Sequence, residues 1–200
     1  NPPPEKKFIS EVFPSGLTIY RTSGHCWNTP TPCIGHLSGK INALSRPKTE
    51  HECAIIMFTC LKTNTPITIS GGRTNLNGSA TPLGGIVLSI EKLLTPNISV
   101  NIKDKTVISP VGVILEDMRK EILKQSSNKL YYPVDPTSRN EAMVGGTLSC
   151  NASGFVPGFT GATRYWTRSI DFLTLSGYKI SCSRSKYISK KGEFIFVYEN

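Results

Sequence analysis

An α+β fold built of two lobes is predicted by three observations. Thr49 stands three residues before Glu52, the reciprocal arrangement of a capping box, and apolar residues follow at 53, 54, 56, 57, 60 and 61 with helical spacing. A second helical pattern covers 113–124, with Ile114, Leu115, Met118 and Ile122 on one face. Short β-type runs flank both patterns, so each helix is supplied with strands to cover.

The elements follow in chain order. Residues 1–40 are rich in Pro, Thr and Gly, and read as an extended lead-in with one short strand, Leu17-Thr18-Ile19-Tyr20. The first lobe, 41–110, opens with a strand at Ala43-Leu44-Ser45 that Pro47 stops. The capped helix and the strand over 66–70 complete a βαβ unit. After a glycine-rich loop the run Ile86-Val87-Leu88 reads as a strand, because Pro82, Gly84 and Gly85 block a helix. Strands over 98–102 and 106–109 are joined by the turn Lys103-Asp104-Lys105. The second lobe, 111–200, begins with the second helix, turns glycine-rich beyond Asn128, and regains strand character over 170–175, 178–182 and 194–198.

Composition bounds the function. Apolar residues make up 38% of the 200 and charged residues 18%, which fits a folded protein and excludes wholesale disorder. No run approaches the roughly 20 apolar residues that span a bilayer, and the first residues lack a signal peptide's apolar centre, so a cytoplasmic protein is expected, with peripheral membrane attachment left open. The net charge of +9 permits an anionic cofactor, an acidic lipid surface or nucleic acid. Its densest group is Arg164, Arg168, Lys179, Arg184, Lys186, Lys190 and Lys191, which reads as a solvated face. A nucleic-acid platform needs stacking aromatics and a regular basic stripe, and neither is evident.

Six cysteines occur without a Cys-x-x-Cys pair, so no disulfide framework is expected. Cys53 and Cys60 belong to the buried face of the first helix. His25, Cys26, Cys33 and His36 offer four metal-type ligands, but their spacing matches no common zinc motif and the segment reads as an irregular loop. Three sequons, at Asn77, Asn97 and Asn151, would matter only in a secreted protein.

The glycine-rich segments carry the chemistry. In 67–78, a strand runs into Ser70-Gly71-Gly72-Arg73-Thr74-Asn75 and on to Gly78. Such a loop can present backbone N–H groups to a phosphate, or simply join two strands. It lacks the helix and the Lys-Ser/Thr ending of a P-loop, and the spacing of a dinucleotide fingerprint. A second cluster holds Pro133-Val134-Asp135-Pro136, then Val144-Gly145-Gly146-Thr147-Leu148-Ser149-Cys150-Asn151 with Gly154, then Gly161-Ala162-Thr163-Arg164. On local grounds alone, Gly145-Gly146 is a tight turn and Asn151 part of a capped loop.

Together, in this order, the segments resemble the FAD-binding domain of the vanillyl-alcohol oxidase and p-cresol methylhydroxylase (PCMH-type) superfamily of FAD-linked oxidases, in the branch containing glycolate oxidase and D-lactate dehydrogenase. That family carries a Gly-Gly-x-Thr-x-Leu-x-Gly loop, a Pro-Gly-Val before a helix, a Gly-Gly-x-x-x-x-Asn-x-x-Gly segment and a Tyr-Gly-x-Thr-Arg segment. They correspond here to 71–78, to Pro110 with Gly112 and Val113, to 145–154 and to 161–164, and the match spans about 41–180. The chain departs from the pattern at Arg73, where glycine is frequent, at Ser70, where arginine is frequent, and at Thr160, where tyrosine is common.

The resemblance implies two α+β lobes with a cofactor cleft between them, and non-covalent FAD, since neither glycine cluster contains a histidine. The residues implied to contact FAD are Ser70, Gly71, Gly72, Arg73, Thr74, Asn75, Leu76 and Gly78 around the diphosphate, and Pro133, Asp135, Gly145, Gly146, Ser149, Asn151, Gly154, Gly161, Thr163 and Ile180 along the rest of the cleft. It further implies a flavin-dependent oxidoreductase acting on a small 2-hydroxy acid, whose base and carboxylate-binding groups belong to a C-terminal substrate domain or partner subunit missing from these 200 residues. The chain alone is then expected to be inactive, and no catalytic residue is named. The competing expectations are an electron-transfer subunit that holds FAD, and a basic module for nucleic acid or acidic lipid whose flavin site has decayed.

Overall fold

In the computed structural model, which describes residues 40–75, 78–155, 161–193 and 195, a three-stranded parallel sheet forms the first layer. Its order is β1 (Ala43–Ser45), β3 (Ile86–Ser89), β2 (Ile67–Ser70), with Ala43 and Ile67 both aligned to Ile86. The strands that bracket the first helix are therefore parallel, as a βαβ unit requires, but β3 lies between them. All four residues of β3 are buried, because a central parallel strand has neighbours on both edges and cover on its faces. The expected strand at 17–20 and most of the one at 194–198 lie outside the described residues, as do His25, Cys26, Cys33 and His36.

Helix α1 (Glu50–Lys62) covers this sheet with Cys53, Ile56 and Cys60, which pack with Ile86, Leu88 and Ile90. The capping box forms: Thr49 Oγ1 accepts from the Glu52 N–H at 3.2 Å, and Glu52 Oε2 accepts from the Thr49 N–H at 3.3 Å. Burial, together with Glu52 and Glu50, pushes the Cys53 thiol up to about 12, so it stays protonated as a small core residue. Thr49→Ala is expected to lower stability by about 1 kcal/mol in urea unfolding, through the lost N-terminal bond. An unchanged midpoint would show that the cap contributes nothing.

The second apolar cluster lies under helix α2 (Leu115–Gln125). Leu115, Met118 and Ile122 are buried against Val144, with Val100 and Val107 of the antiparallel hairpin β4 (Ser99–Asn101) and β5 (Thr106–Ile108) packed alongside. Gln125 fixes the helix to that hairpin, donating to the Ile98 carbonyl at 2.9 Å and accepting from the Val100 N–H at 3.0 Å. Arg119 and Arg139 each pair with both Glu116 and Asp135, which ties the following segment to the helix.

The stretch after Asn128 is more helical than its glycines suggest. Val144–Ser149 forms the short helix α3, where a tight turn had been the local expectation, and Thr163–Trp166 forms α4. The antiparallel pair β6 (Ser169–Leu173) and β7 (Lys179–Ser183) returns to α1: Leu173 joins the first core, and Lys179 Nζ bridges Glu50 at 2.9 Å and Asp171 at 3.2 Å. No helix among the described residues is long and apolar enough to cross a membrane, and none of the four described cysteines forms a disulfide.

Candidate functional site

Parallel strands end together, so loops leaving their C-terminal ends share one side of the sheet. The β2–β3 ladder closes with the Ile90 N–H donating to the Ser70 carbonyl at 2.9 Å. Immediately beyond it the glycine loop opens onto a cleft of ≈ 860 Å³. That is within the range of cavities that bury an extended cofactor.

Three walls meet there. The first is the loop itself, with Gly71, Gly72, Arg73, Thr74 and Asn75. The second is α3 and its approach, from Ala142 and Met143 through Gly145, Gly146 and Ser149 to Cys150. The third comes from β6, β7 and the residues around them, with Arg164, Arg168, Ile170, Phe172, Cys182, Arg184 and Tyr187. Ile90 and Val111 supply apolar surface, so the site mixes a few polar groups with a predominantly apolar lining.

The two glycine pairs do different things. A Cβ at Gly72 would lie 2.0 Å from the Glu141 carbonyl oxygen, so glycine lets the loop dock on backbone at 141–142. At Gly145 it would meet Val111 at 2.8 Å. A Cβ at Gly146, by contrast, would meet nothing within 4 Å, although the residue lines the cleft. That opening fits the close approach of a flat ligand. Asn75 Oδ1 is buried without a hydrogen-bond partner among the described residues, which suits a ligand donor. Arg73 takes φ 60, an uncommon conformation for arginine, and burial lowers its pKa, with Glu91 acting against the shift and Arg46 reinforcing it.

Of the residues expected at the cofactor, Gly71, Gly72, Arg73, Thr74, Asn75, Gly145, Gly146 and Ser149 line the cleft, and Leu76 lies outside the described residues. Ser70, Gly78, Pro133, Asp135, Asn151, Gly154, Gly161, Thr163 and Ile180 are not among its lining residues. Several of these build it from behind. Thr163 is buried, and both its N–H and its hydroxyl donate to the Ala152 carbonyl, at 3.0 and 2.8 Å. Asn151 Oδ1 accepts from the Arg164 N–H at 3.0 Å, which joins α3 to α4. A Cβ on Gly154 would fall 2.3 Å from the Asp135 backbone, and the Asp135 carboxylate is committed to Arg119 and Arg139. The Ser149 hydroxyl donates to the Gly145 carbonyl at 2.9 Å, within its own helix.

The basic group is solvent-exposed as expected, Lys179 being half-buried, and part of it also borders the cleft as its third wall. Arg164, Arg168 and Arg184 of that group line the cleft, whereas Lys179, Lys186, Lys190 and Lys191 do not. Only the split between arginine and lysine within the group hinted at this in the sequence.

The comparisons agree with this geometry. A family model described as an FAD binding domain matches residues 41–183. The chain is 37% identical over 109 residues to a D-2-hydroxyglutarate dehydrogenase of Xanthomonas citri pv. viticola, covering 54% of this chain and 22% of that protein. It is 32% identical over 127 residues to a D-lactate dehydrogenase of Anaerostipes hadrus, covering 63% and 26%, and 26% identical over 136 residues to a glycolate oxidase subunit of Bacillus subtilis, covering 68% and 28%. It thus spans about a quarter of the curated relatives it matches. Among solved structures, an alkyldihydroxyacetonephosphate synthase superposes with TM-score 0.72 at 17% identity, covering 93% of this chain and 36% of that one. Glucooligosaccharide oxidase from Acremonium strictum, described with a 6-S-cysteinyl, 8α-N1-histidyl FAD, superposes with TM-score 0.66 at 18% identity, covering 85% and 35%.

Proposed function

The chain belongs to the FAD binding domain family, and from that premise we propose that it is the FAD-holding part of a flavin-dependent oxidoreductase that oxidises a 2-hydroxy acid such as D-lactate or glycolate. The observation that carries the cofactor assignment is the cleft between the glycine loop and Gly146, which is open where a side chain would otherwise stand. The substrate class is supported by the relatives, which are named for D-2-hydroxyglutarate, D-lactate and glycolate.

Bound FAD would supply the two-electron redox chemistry, taking a hydride equivalent from the carbon that bears the substrate hydroxyl. The chain's own residues bind and orient. Backbone N–H groups of 71–75 and the Thr74 hydroxyl would hold the diphosphate. Gly146 would leave room for a flat portion of the cofactor, and Ile90, Val111, Met143 and Phe172 would keep water from it. Ser70, Gly78, Asn151, Gly154, Gly161, Thr163, Ile180, Pro133 and Asp135 would act by holding these walls in place. The association is non-covalent in this proposal: His51, the histidine within the described residues, is exposed in the first turn of α1 and is absent from the cleft lining.

Among the described residues the cleft's one carboxylate, Asp171, is paired with Lys179, which leaves it poorly placed to act as the general base that takes the hydroxyl proton. We place that base, and the partners of the substrate carboxylate, in sequence corresponding to the remaining length of the relatives or in a partner subunit. The division into lobes 41–110 and 111–200 is part of the same proposal. Titration of the purified chain with FAD, followed by flavin fluorescence, is expected to show saturable one-to-one binding. Absence of saturation would end the cofactor assignment. Turnover of D-lactate or glycolate by this chain alone, with FAD and an artificial electron acceptor, would overturn the placement of the base elsewhere.

A further inference from the structure

Charge is distributed unevenly around the cleft. Arg73, Arg164, Arg168 and Arg184 line it, Asp171 is the one acidic residue that does so among the described residues, and no lysine takes part. Arginine's planar fork of donors suits oxyanions held in two-point fashion, whereas lysine's strongly hydrated ammonium favours solvent. Arg164, Arg168 and Arg184 are solvent-exposed while lining the cleft, so a ligand can reach them there, and an oxyanion is the ligand their donor forks suit.

The arginines also differ from one another. Arg46, Arg119 and Arg139 elsewhere in the fold are ion-paired with carboxylates. Arg184 is used up locally: its guanidinium donates to the carbonyls of Thr167, Arg164 and Tyr165, at the C-terminal end of α4. The side chains of Arg164 and Arg168 make neither an ion pair nor a hydrogen bond among the described residues. Their backbones are nonetheless fixed, Arg164 through its N–H to Asn151 Oδ1 at 3.0 Å and Arg168 through its carbonyl to the Arg184 N–H at 2.9 Å. Two uncommitted guanidinium groups therefore stand on anchored backbone at one cleft.

We propose that Arg164 and Arg168 form a second anion-binding element, which takes the diphosphate of the bound cofactor from a wall separate from the glycine loop. The inference rests on the FAD reading and deepens it. The diphosphate would give both guanidinium groups the oxyanion partner they lack among the described residues, and Asp171, held by Lys179 at 3.2 Å, is already engaged. Loss of these two guanidinium groups would then weaken any ligand that carries the diphosphate, with or without the flavin.

The test compares wild type, Arg164→Gln/Arg168→Gln, and Lys190→Gln/Lys191→Gln, which makes the same charge change outside the cleft. Each protein is titrated by calorimetry with FAD, ADP and riboflavin at two salt concentrations, with thermal melting as the check on folding. The arginine pair is expected to weaken FAD and ADP by about 100-fold, roughly tenfold for each charged hydrogen-bonding group removed. It should also flatten their salt dependence, and leave riboflavin and the melting temperature unchanged. The lysine pair should bind all three ligands as wild type does. If the arginine pair binds FAD and ADP like wild type, or the lysine pair weakens them equally, the proposal is overturned while FAD binding itself stands. An equal loss of riboflavin would point to a collapsed wall and also overturn it. If wild type binds neither FAD nor ADP, the cofactor assignment fails and this proposal fails with it.

Discussion

Gly146→Leu is expected to yield a protein at least as stable as wild type that binds FAD about 100-fold more weakly. Residue 146 lies inside α3 (Val144–Ser149), and an added Cβ there meets nothing within 4 Å. Replacing an interior helical glycine by leucine removes a propensity penalty of ~0.5–1 kcal/mol, so the fold has no reason to suffer. The new side chain would instead occupy the cleft. Filling space that a rigid ligand needs costs ~1–3 kcal/mol, the upper end of which is about 100-fold in affinity. The measurement pairs a melting curve with an FAD titration. Wild-type affinity in a stable Gly146→Leu protein would show that the cofactor does not approach α3.

Gly72→Ala is the contrasting case. Its Cβ would sit 2.0 Å from the Glu141 carbonyl oxygen, 2.9 Å from the carbonyl carbon and 3.1 Å from Ala142 Cα. These are backbone atoms, which cannot rotate aside, so the loop and the segment before α3 must separate. A loss of ~3 kcal/mol is expected. In a chain of this length that lowers the melting temperature by roughly 6–12 °C. FAD binding should fall as well, but as a consequence of the displaced loop. A change at Gly72 therefore cannot by itself identify a cofactor contact, whereas one at Gly146 can. An unchanged melting temperature for Gly72→Ala would contradict the close packing of these two backbones.

The difference between these glycines shows where sequence stops being informative. Gly71-Gly72 and Gly145-Gly146 read alike as pairs of residues that permit close approach. One member of each pair proves to be pressed against protein, Gly72 on Glu141 and Gly145 on Val111, and Gly146 faces open space. Whether a missing Cβ serves a neighbour or a ligand depends on what stands opposite it. Segments far apart in the chain decide that.

Charge behaved the same way. Arg164, Arg168, Arg184 and the nearby lysines form one basic stretch in the sequence, which reads as a solvated face. Antiparallel pairing of β6 with β7 brings Arg168 beside Arg184, and the bond from Asn151 to the Arg164 N–H sets α4 against α3. Arginines thereby reach the cleft and lysines do not. The carboxylate of Asp135, a residue expected at the cofactor, is held by Arg119 and Arg139, sixteen and four residues away in the chain.

By itself, the sequence determined what local interactions control. The capping box of α1, the buried spacing of Cys53, Ile56 and Cys60, the apolar face of α2 and the strand after the glycine loop all formed where expected. Each depends on residues within a few positions of one another, where backbone geometry fixes which side chains meet. The order of the glycine segments also determined the family, because that order registers several constraints at once. The tertiary structure alone decided that β3 enters between β1 and β2, that α3 and α4 are helical, and which candidate residues line the cleft and which hold it from behind. Those outcomes follow from pairings across many tens of residues, and from volume that is either filled or left open. A side chain's own neighbourhood in the sequence does not encode them.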